Sequence, residues 1–381
     1  MINLPGSAIN FIGGQFRYFR EEGGHEMHLI CSPGGGIEEF CKENGVHYFP
    51  VELARQVSLK SDWKALRQII HYIRENKIEM VIAHQSKARL LGMIAAAVCR
   101  VPHRITFAHG VVYETMHGLK RWLMMQNDRF VSLLADKVVC VSNYVMDYRK
   151  KDHVDLPGRC VVLGKGSCNG LDTINKFNPA LMSAETISQL REKYGLTDEQ
   201  FVIGFCGRLV RDKGVIELVE AFKTLRQKHP EKILKLFVIG KPEVRDGLPQ
   251  ETLEYLQTAK DIIFTGDVPY AEIQNYYLLM DVLVLPTHRE GFGMVSVEAE
   301  AMGVPAIVSG YTGSAATIED GVTGLYIDKS SESIVEAVEK MFDKDVRTKM
   351  GKAGRAFVHE NFEHENVRKN ILNLINELGN K

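Results

Sequence analysis

Short apolar runs, rich in β-branched residues, alternate with longer segments whose apolar positions recur every three or four residues. In the first half the runs Glu26–Cys31, Glu79–His84, Arg104–Ala108, Lys137–Val141 and Cys160–Leu163 predict strands. The segments Asp62–Asn76, Ala88–Arg100 and Leu119–Ala135 predict helices. The runs lack the in-and-out alternation of a sheet with one wet face, so they suit strands covered on both sides, a parallel sheet of βαβ units. A stretch without periodicity, Gly164–Pro179, marks a domain boundary. The alternation then restarts, with strands predicted at Phe201–Cys206, Leu234–Ile239, Ile262–Thr265, Val282–Leu285, Ala306–Val308 and Gly324–Ile327. Helices follow at about Lys213–His229, Pro249–Lys260, Ala271–Met280, Val295–Met302 and Ser331–Phe342, and a helical tail runs from Val346 to about Leu378. The fold class is α/β: two Rossmann-like, doubly wound parallel-sheet domains facing a cleft, residues 1–170 and 171–360, with a terminal helix in 361–381 packing back on the first. Ligands of such folds bind at the carboxyl ends of strands.

The start is unusual. A glycine turn, Gly13-Gly14, heads a predicted helix Gln15–Glu22, but only Met1–Leu4 is left to serve as a first strand, which is short or missing. Either the native start lies upstream of Met1 or the sheet begins in an unusual way. Composition narrows the class. The 381 residues are 45% hydrophobic and 25% charged, an ordinary globular mix. The 47 basic and 48 acidic residues nearly cancel, which argues against general nucleic-acid binding by counterion release. Residues 1–172 hold 22 Lys/Arg against 17 Asp/Glu and the remainder 25 against 31, so a first half at +5 precedes a second at −6. The longest uncharged apolar run, Leu90–Cys99, is too short to span a bilayer. With no secretory signal, and seven cysteines lacking a Cys-x-x-Cys, the expectation is a cytoplasmic protein without disulfides.

The richest chemistry lies in Pro286-Thr287-His288-Arg289-Glu290-Gly291-Phe292-Gly293-Met294, after a predicted strand, and in Glu298 on the following helix. Gly291 and Gly293 let backbone approach a ligand, and a helix start offers N–H groups to phosphate or hydroxyl oxygens. A carboxylate is a bidentate acceptor suited to vicinal sugar hydroxyls. The second segment, Gly207-Arg208-Leu209-Val210-Arg211-Asp212-Lys213-Gly214, also follows a strand. There Arg208 and Lys213 can meet a diphosphate, the first as a fork and the second as a point charge. Two fixed cations can hold the charge on a departing diphosphate without a metal ion. Gly13-Gly14 is a further candidate phosphate turn, although no dinucleotide or phosphate-loop glycine pattern is present.

His109 ends the strand Arg104–Ala108 beside Gly110, and His84 ends the strand before it; a histidine there can touch a sugar hydroxyl or a proton in transit. Asp343-Lys344-Asp345 reads as a helix terminus, and no cluster has metal-ligand spacing, so neither metal nor cofactor is expected. Lys120, Arg121 and Trp122 begin an amphipathic segment of the mix found at bilayer interfaces, and Arg149-Lys150-Lys151 is a second basic cluster. Both also suit an ordinary helix with a solvated face.

Gly207-Arg208-Leu209 with Lys213-Gly214, and Glu290-Gly291-Phe292-Gly293 with Glu298, resemble the retaining GT-B glycosyltransferases of family four. Asp281–Pro286 and Gly303-Val304-Pro305 are similar too, and the likeness covers about 200–381 closely and 1–165 loosely. In the first half, Ala83–Lys87 and Ala135–Ser142 are similar to enzymes that extend glycans on a polyprenyl diphosphate, such as hexosamine transferases of bacterial surface glycan assembly. The resemblance implies a nucleotide-diphosphate sugar, UDP-hexose or UDP-N-acetylhexosamine, bound mainly by the second domain and a glycan acceptor bound by the first. It implies that Arg208 and Lys213 bind the donor diphosphate, Glu298 the ribose, and Glu290 with the Gly291–Met294 backbone the transferred sugar. Thr265 to Val268 would seat the base, Gly13-Gly14 close on the phosphates, and His109 orient sugar or acceptor. His84, Lys120, Arg121 and Trp122 would serve a membrane-borne acceptor at the inner face of the cell membrane. Thr312-Gly313-Ser314-Ala315-Ala316 departs from the Gly-Gly followed by Glu of many members. The implied reaction is metal-independent sugar transfer with retention. The rival readings are a nucleotide-sugar epimerase or hydrolase of the same fold, and a non-catalytic partner protein.

Overall fold

The apolar runs of the first half form strands in the computed structural model, which describes residues 1–53, 58–243 and 246–379. Helices α1 (Pro5–Ser7) and α2 (Gly13–Glu21) precede β1 (His28–Cys31), α3 (Ile37–Glu43), β2 (His47–Pro50) and α4 (Leu59–Glu75). Then come β3 (Met80–Ala83), α5 (Ser86–Val98), β4 (His103–Ala108), α6 (Gly118–Leu134), β5 (Lys137–Cys140), α7 (Asn143–Lys151) and β6 (Cys160–Val161). β3, β4, β5 and β6 form a parallel sheet in that order, and β1 pairs in parallel with β2. β2 carries no apolar run because it is an edge strand with no fully buried residue.

The remnant of a first strand is present, as three residues. Ile2 N–H donates to Ile30 O at 3.2 Å, Asn3 O accepts from Ser32 N–H at 3.2 Å, and Met1 O accepts from His84 N–H at 2.9 Å. Residues 1–3 thus run between β1 and β3 and join the two sets of strands, with Ile2 buried beneath. The Asn3 side chain continues the link by accepting from Ala88 N–H at 2.8 Å, in the first turn of α5.

The second half gives α8 (Ala184–Lys193), β7 (Gln200–Cys206), α9 (Val215–Lys228), β8 (Ile233–Ile239), α10 (Gln250–Thr258), β9 (Ile262–Gly266) and α11 (Ile273–Tyr277). It continues with β10 (Val282–Leu285), α12 (Met294–Ala301), β11 (Ala306–Ser309), β12 (Gly324–Ile327), α13 (Ser331–Lys340), α14 (Lys344–Phe362) and α15 (His364–Gly379). Its six strands are parallel, in the order β12-β11-β10-β7-β8-β9. Phe205, Leu236, Val282, Val284 and Ile307 form the core with Phe222 and Val338 from the covering helices. α8 buries no residue, so it carries no apolar stripe to mark it in the sequence.

The chain divides into one unit of residues 1–170 plus the end from His364, and another of residues 171–363. The expected single tail is two helices, because Glu363 is extended (φ −53°, ψ 133°) between α14 and α15. Its carboxylate accepts from Thr173 N–H at 2.8 Å. On α15, Val367, Ile371, Leu374, Ile375 and Leu378 recur at helical spacing and pack with Phe19, Ile105, Phe107 and Val139 of the first unit.

Gly13-Gly14 is not a turn. α1, a π-helical segment Ala8–Ile12 and α2 make one helical run, with Gly13 itself helical (φ −55°, ψ −43°). A Cβ on Gly14 would stand 2.0 Å from the Arg368 guanidinium of α15, so a larger residue here would make that side chain shift. The chain turns earlier, at extended Leu4 followed by Pro5 in the first helical position.

Candidate active site

In the second unit the chain leaves β7 for β8 and β9 on one side, while β10, β11 and β12 lie on the other. The order reverses between β7 and β10, and ligands of open α/β sheets bind at the carboxyl ends of the strands beside such a reversal. Arg208 and Lys213 follow β7, and Glu290 to Glu298 follow β10, so the structure brings both segments to that position.

After β7 a turn of 3₁₀ helix, Arg211–Lys213, ends in Gly214 with φ +68°. A Cβ on Gly214 would stand 1.9 Å from Pro286 O at the end of β10, so only glycine lets the two strand ends meet. The loops are clipped together: Asp212 O accepts from His288 N–H at 2.8 Å and from the Thr287 hydroxyl at 3.0 Å, and Arg289 pairs with the Asp212 carboxylate at 2.6 Å. Lys213 is thereby placed against Glu290, and its ammonium donates to Glu290 Oε2. Arg208 is exposed at the rim and paired with Glu243 at 3.0 Å.

α12 starts at Gly293, whose φ of +99° turns the chain into the helix. Phe292 is buried edge-on against Phe362, so it offers a ligand backbone rather than ring. The segment Thr312–Ala316, where the sequence departs from the common family pattern, opens a short 3₁₀ helix, and Gly313 N–H donates to Glu290 O at 2.9 Å. It therefore supports the Glu290 loop from behind.

One turn into α12, Glu298 is buried and accepts from the Tyr277 hydroxyl at 2.6 Å. Burial pushes its carboxyl up to about 7, against the opposing effects of Tyr277 and Lys176. Lys176 also sits 3.2 Å over the ring of Tyr270, two residues beyond Val268. The expected base segment begins in the last two residues of β9, where Gly266 O accepts from Gly240 N–H at 2.9 Å and the Thr265 hydroxyl donates to Gly266 O at 2.9 Å.

In the first unit His84 and His109 are brought together, Nδ1 to Nε2 at 3.0 Å, and the His84 ring stacks on Phe107. One imidazole donates and the other accepts, and burial favours the neutral form of both. Burial holds His84 well below the usual range, and burial and Arg89 push His109 down to about 4. His84 is 2% exposed, which corrects its expected role at an acceptor or membrane surface: it lies beneath His109.

α6 turns its apolar stripe outward. Leu119, Trp122, Leu123, Phe130 and Leu133 are exposed, whereas Asp128 and Ser132 are buried. The cause is an ionic network in which Arg149 binds Asp155 at 2.8 and 2.7 Å and Asp128 at 2.9 Å. Arg149 is therefore no part of a surface basic cluster. Arg121 pairs with Asp152 at 2.7 Å, and Lys120 is exposed. Asp343 caps α14, accepting from Asp345 and Val346 N–H groups, as a helix terminus would. Asp172 and Glu363 bring carboxylate oxygens within 4.8 Å of one another, a proximity that spacing in the sequence does not reveal. Neither lies at the strand ends that carry the site. Tyr277, Lys176 and the Asp212–Arg289 clip have no local signal either, because each meets its partner across a long sequence separation.

Two family models match: residues 186–357 fit the glycosyl transferases group 1 and residues 12–164 a glycosyl transferase 4-like domain. The chain is 30% identical over 372 residues to the capsular polysaccharide biosynthesis glycosyltransferase CapM of Staphylococcus aureus, covering 97% of this chain and 94% of that protein. The chain belongs to the group 1 glycosyltransferases. This glycosyltransferase is also 26% identical to the UDP-Gal:α-D-GlcNAc-diphosphoundecaprenol α-1,3-galactosyltransferase of Escherichia coli, over 86% of this chain and 82% of that one. Its fold is GT-B. A glycosyltransferase from Rickettsia africae ESF-5 superposes with a TM-score of 0.79 at 19% identity, over 99% of this chain and 97% of that one. HepE of Anabaena, solved in complex with UDP, gives 0.78 at 18%, over 99% and 98%.

Proposed function

We propose that this glycosyltransferase moves a hexose or N-acetylhexosamine from a UDP-sugar to a glycan acceptor carried on a polyprenyl diphosphate, with retention and without a metal ion, in surface polysaccharide assembly. The observation that carries the reading is the placement of two cations and two carboxylates at the sheet's reversal in the second unit. There the donor diphosphate takes Lys213 from Glu290, which releases that carboxylate for hydroxyls of the transferred sugar. Arg208 swings from its exposed pair with Glu243 to the second phosphate, and Glu298 accepts from the ribose. The base lies along Thr265 to Val268. As the anomeric C–O bond breaks toward an oxocarbenium-like state, the cations and the N–H groups at the start of α12 hold the leaving diphosphate. The acceptor hydroxyl attacks from the same face and its proton passes to a diphosphate oxygen. The first unit takes the acceptor, with His109 orienting it. Gly13-Gly14 has no part in the donor site, because it lies inside a helix.

The named activities of the Staphylococcus aureus and Escherichia coli relatives support a surface-glycan product and a lipid-linked acceptor. Screening UDP-, GDP- and TDP-sugars for protection against heat tests the donor. A ligand at 100 times its Kd adds about 2.7 kcal/mol, and UDP-sugars are expected to give the largest shift. Protection by none of them, or release of free sugar from donor alone at the rate of transfer, would contradict the proposal.

Among the described residues no helix is long and apolar enough to cross a membrane. The outward stripe of α6, with Lys120 beside it, instead suits peripheral contact with an anionic bilayer. Trp122→Ala combined with Leu123→Ala is expected to weaken co-sedimentation with anionic vesicles tenfold or more, because burying one large apolar side chain is worth about 1.5–3 kcal/mol. Equal binding by the variant and the parent would remove α6 from the membrane surface.

A further inference from the structure

Tyr277, on α11, is fully buried and spends its hydroxyl on one partner in the candidate site, donating to Glu298 Oε2 at 2.6 Å. The thiol of Cys206, the last residue of β7, lies beside the same hydroxyl and is buried with it. Cys206 immediately precedes Gly207-Arg208. The tyrosine therefore lies between the strand end that presents Arg208 and the helix that presents Glu298, and is bonded to the second. A carboxylate on α12 with one oxygen held in this way cannot rotate freely, so Oε1 is offered in a single direction. Lys176 attracts this carboxylate, Lys213 acts on the neighbouring Cys206, and Tyr270 feels the carboxylate's charge from beyond the β9 loop.

We propose that Tyr277 is a positioning residue for the nucleotide: its hydroxyl fixes Glu298 so that the carboxylate meets both vicinal hydroxyls of the donor's ribose. The inference rests on the ribose role of Glu298. Without the hydroxyl, the buried carboxylate loses the donor that favours its charged form, tends to hold a proton, and can turn away from the diol. The consequence is selective. A nucleotide with a complete ribose loses affinity, whereas one lacking the 2′ and 3′ hydroxyls has nothing at Glu298 to lose.

Calorimetric titration of parent, Glu298→Ala and Tyr277→Phe with UDP and with 2′,3′-dideoxy-UDP tests this. The parent is expected to prefer UDP. Tyr277→Phe is expected to bind UDP about tenfold more weakly, the loss typical of one hydrogen bond to a charged group, and dideoxy-UDP within twofold of the parent. Tyr277→Met, which also lacks the hydroxyl, is expected to show the same selectivity and serves if the phenylalanine variant does not fold. An equal loss for both nucleotides would mean that Tyr277 only packs, and an unchanged UDP affinity would mean that Glu298 needs no positioning; either overturns the proposal. If the parent does not distinguish the two nucleotides and Glu298→Ala changes neither affinity, the ribose role of Glu298 itself fails, whatever Tyr277→Phe does.

Discussion

Lys213→Ala is expected to lower kcat by about 10²–10³-fold, the range found when one fixed donor to developing negative charge is removed. Two effects act in the same direction. The ammonium that would meet the leaving diphosphate is lost, and Glu290, which now holds that ammonium, is left as an unopposed anion beside the phosphates. Lys213→Arg should recover only part of the rate, because the 3₁₀ turn ending at Gly214 places a compact charge, not a planar fork, against Glu290. Arg208→Ala should lose a similar factor, with a larger share in donor affinity, since Arg208 starts exposed at the rim. Single-turnover transfer at saturating donor separates chemistry from binding. A Lys213→Ala enzyme with parental rate and donor affinity would take the diphosphate away from this residue.

Arg149→Met is expected to destabilise the first unit by about 3–5 kcal/mol, the cost of leaving buried charges without their partner. The side chain is completely buried, and its removal leaves Asp155 with the Ser132 hydroxyl and Asp128 with a 3.3 Å contact to Arg89. Acid should affect parent and variant in opposite ways. Burial alone would raise the Asp155 carboxyl, but its bonds to Arg149 and Ser132 outweigh burial and hold it below the usual range. In the parent that depressed value contributes stability above the ordinary carboxylate range, and the contribution is lost as pH falls through it. In the variant burial is opposed by Ser132 without Arg149, the folded value rises above the unfolded one, and stability recovers on going from pH 7 to pH 5. Urea unfolding at pH 7, 5 and 3 checks both statements; a loss under about 1 kcal/mol at pH 7 would contradict the role given to this network.

Most of the site was legible because its chemistry is local. Arg208 and Lys213 lie five residues apart and Glu290 and Glu298 eight, each pair just beyond an apolar run, so strand-end position can be read from the order of residues alone. What escaped depends on partners far along the chain. Tyr277 looks like a core aromatic until Glu298 is placed on its hydroxyl. His84 has the strand-end position of His109, yet only the fold puts one ring beneath the other. For α6 the periodicity is visible but not which face is inside; Asp128 and Ser132 turn inward because Arg149 and Asp155, 21 and 23 residues later, are there to meet them. Gly13-Gly14 misleads for a related reason, since the side chain packed against Gly14 is Arg368, at the other end of the chain. β2 and α8 bury too little to leave a hydrophobic trace.

A structure of the enzyme crystallised with UDP and no added divalent ion addresses the main proposition directly. The account predicts the pyrophosphate oxygens at about 3 Å from the Lys213 ammonium and the Arg208 guanidinium, with Glu290 parted from Lys213. A pyrophosphate seated elsewhere, or one bound only once manganese or magnesium is supplied, would contradict it.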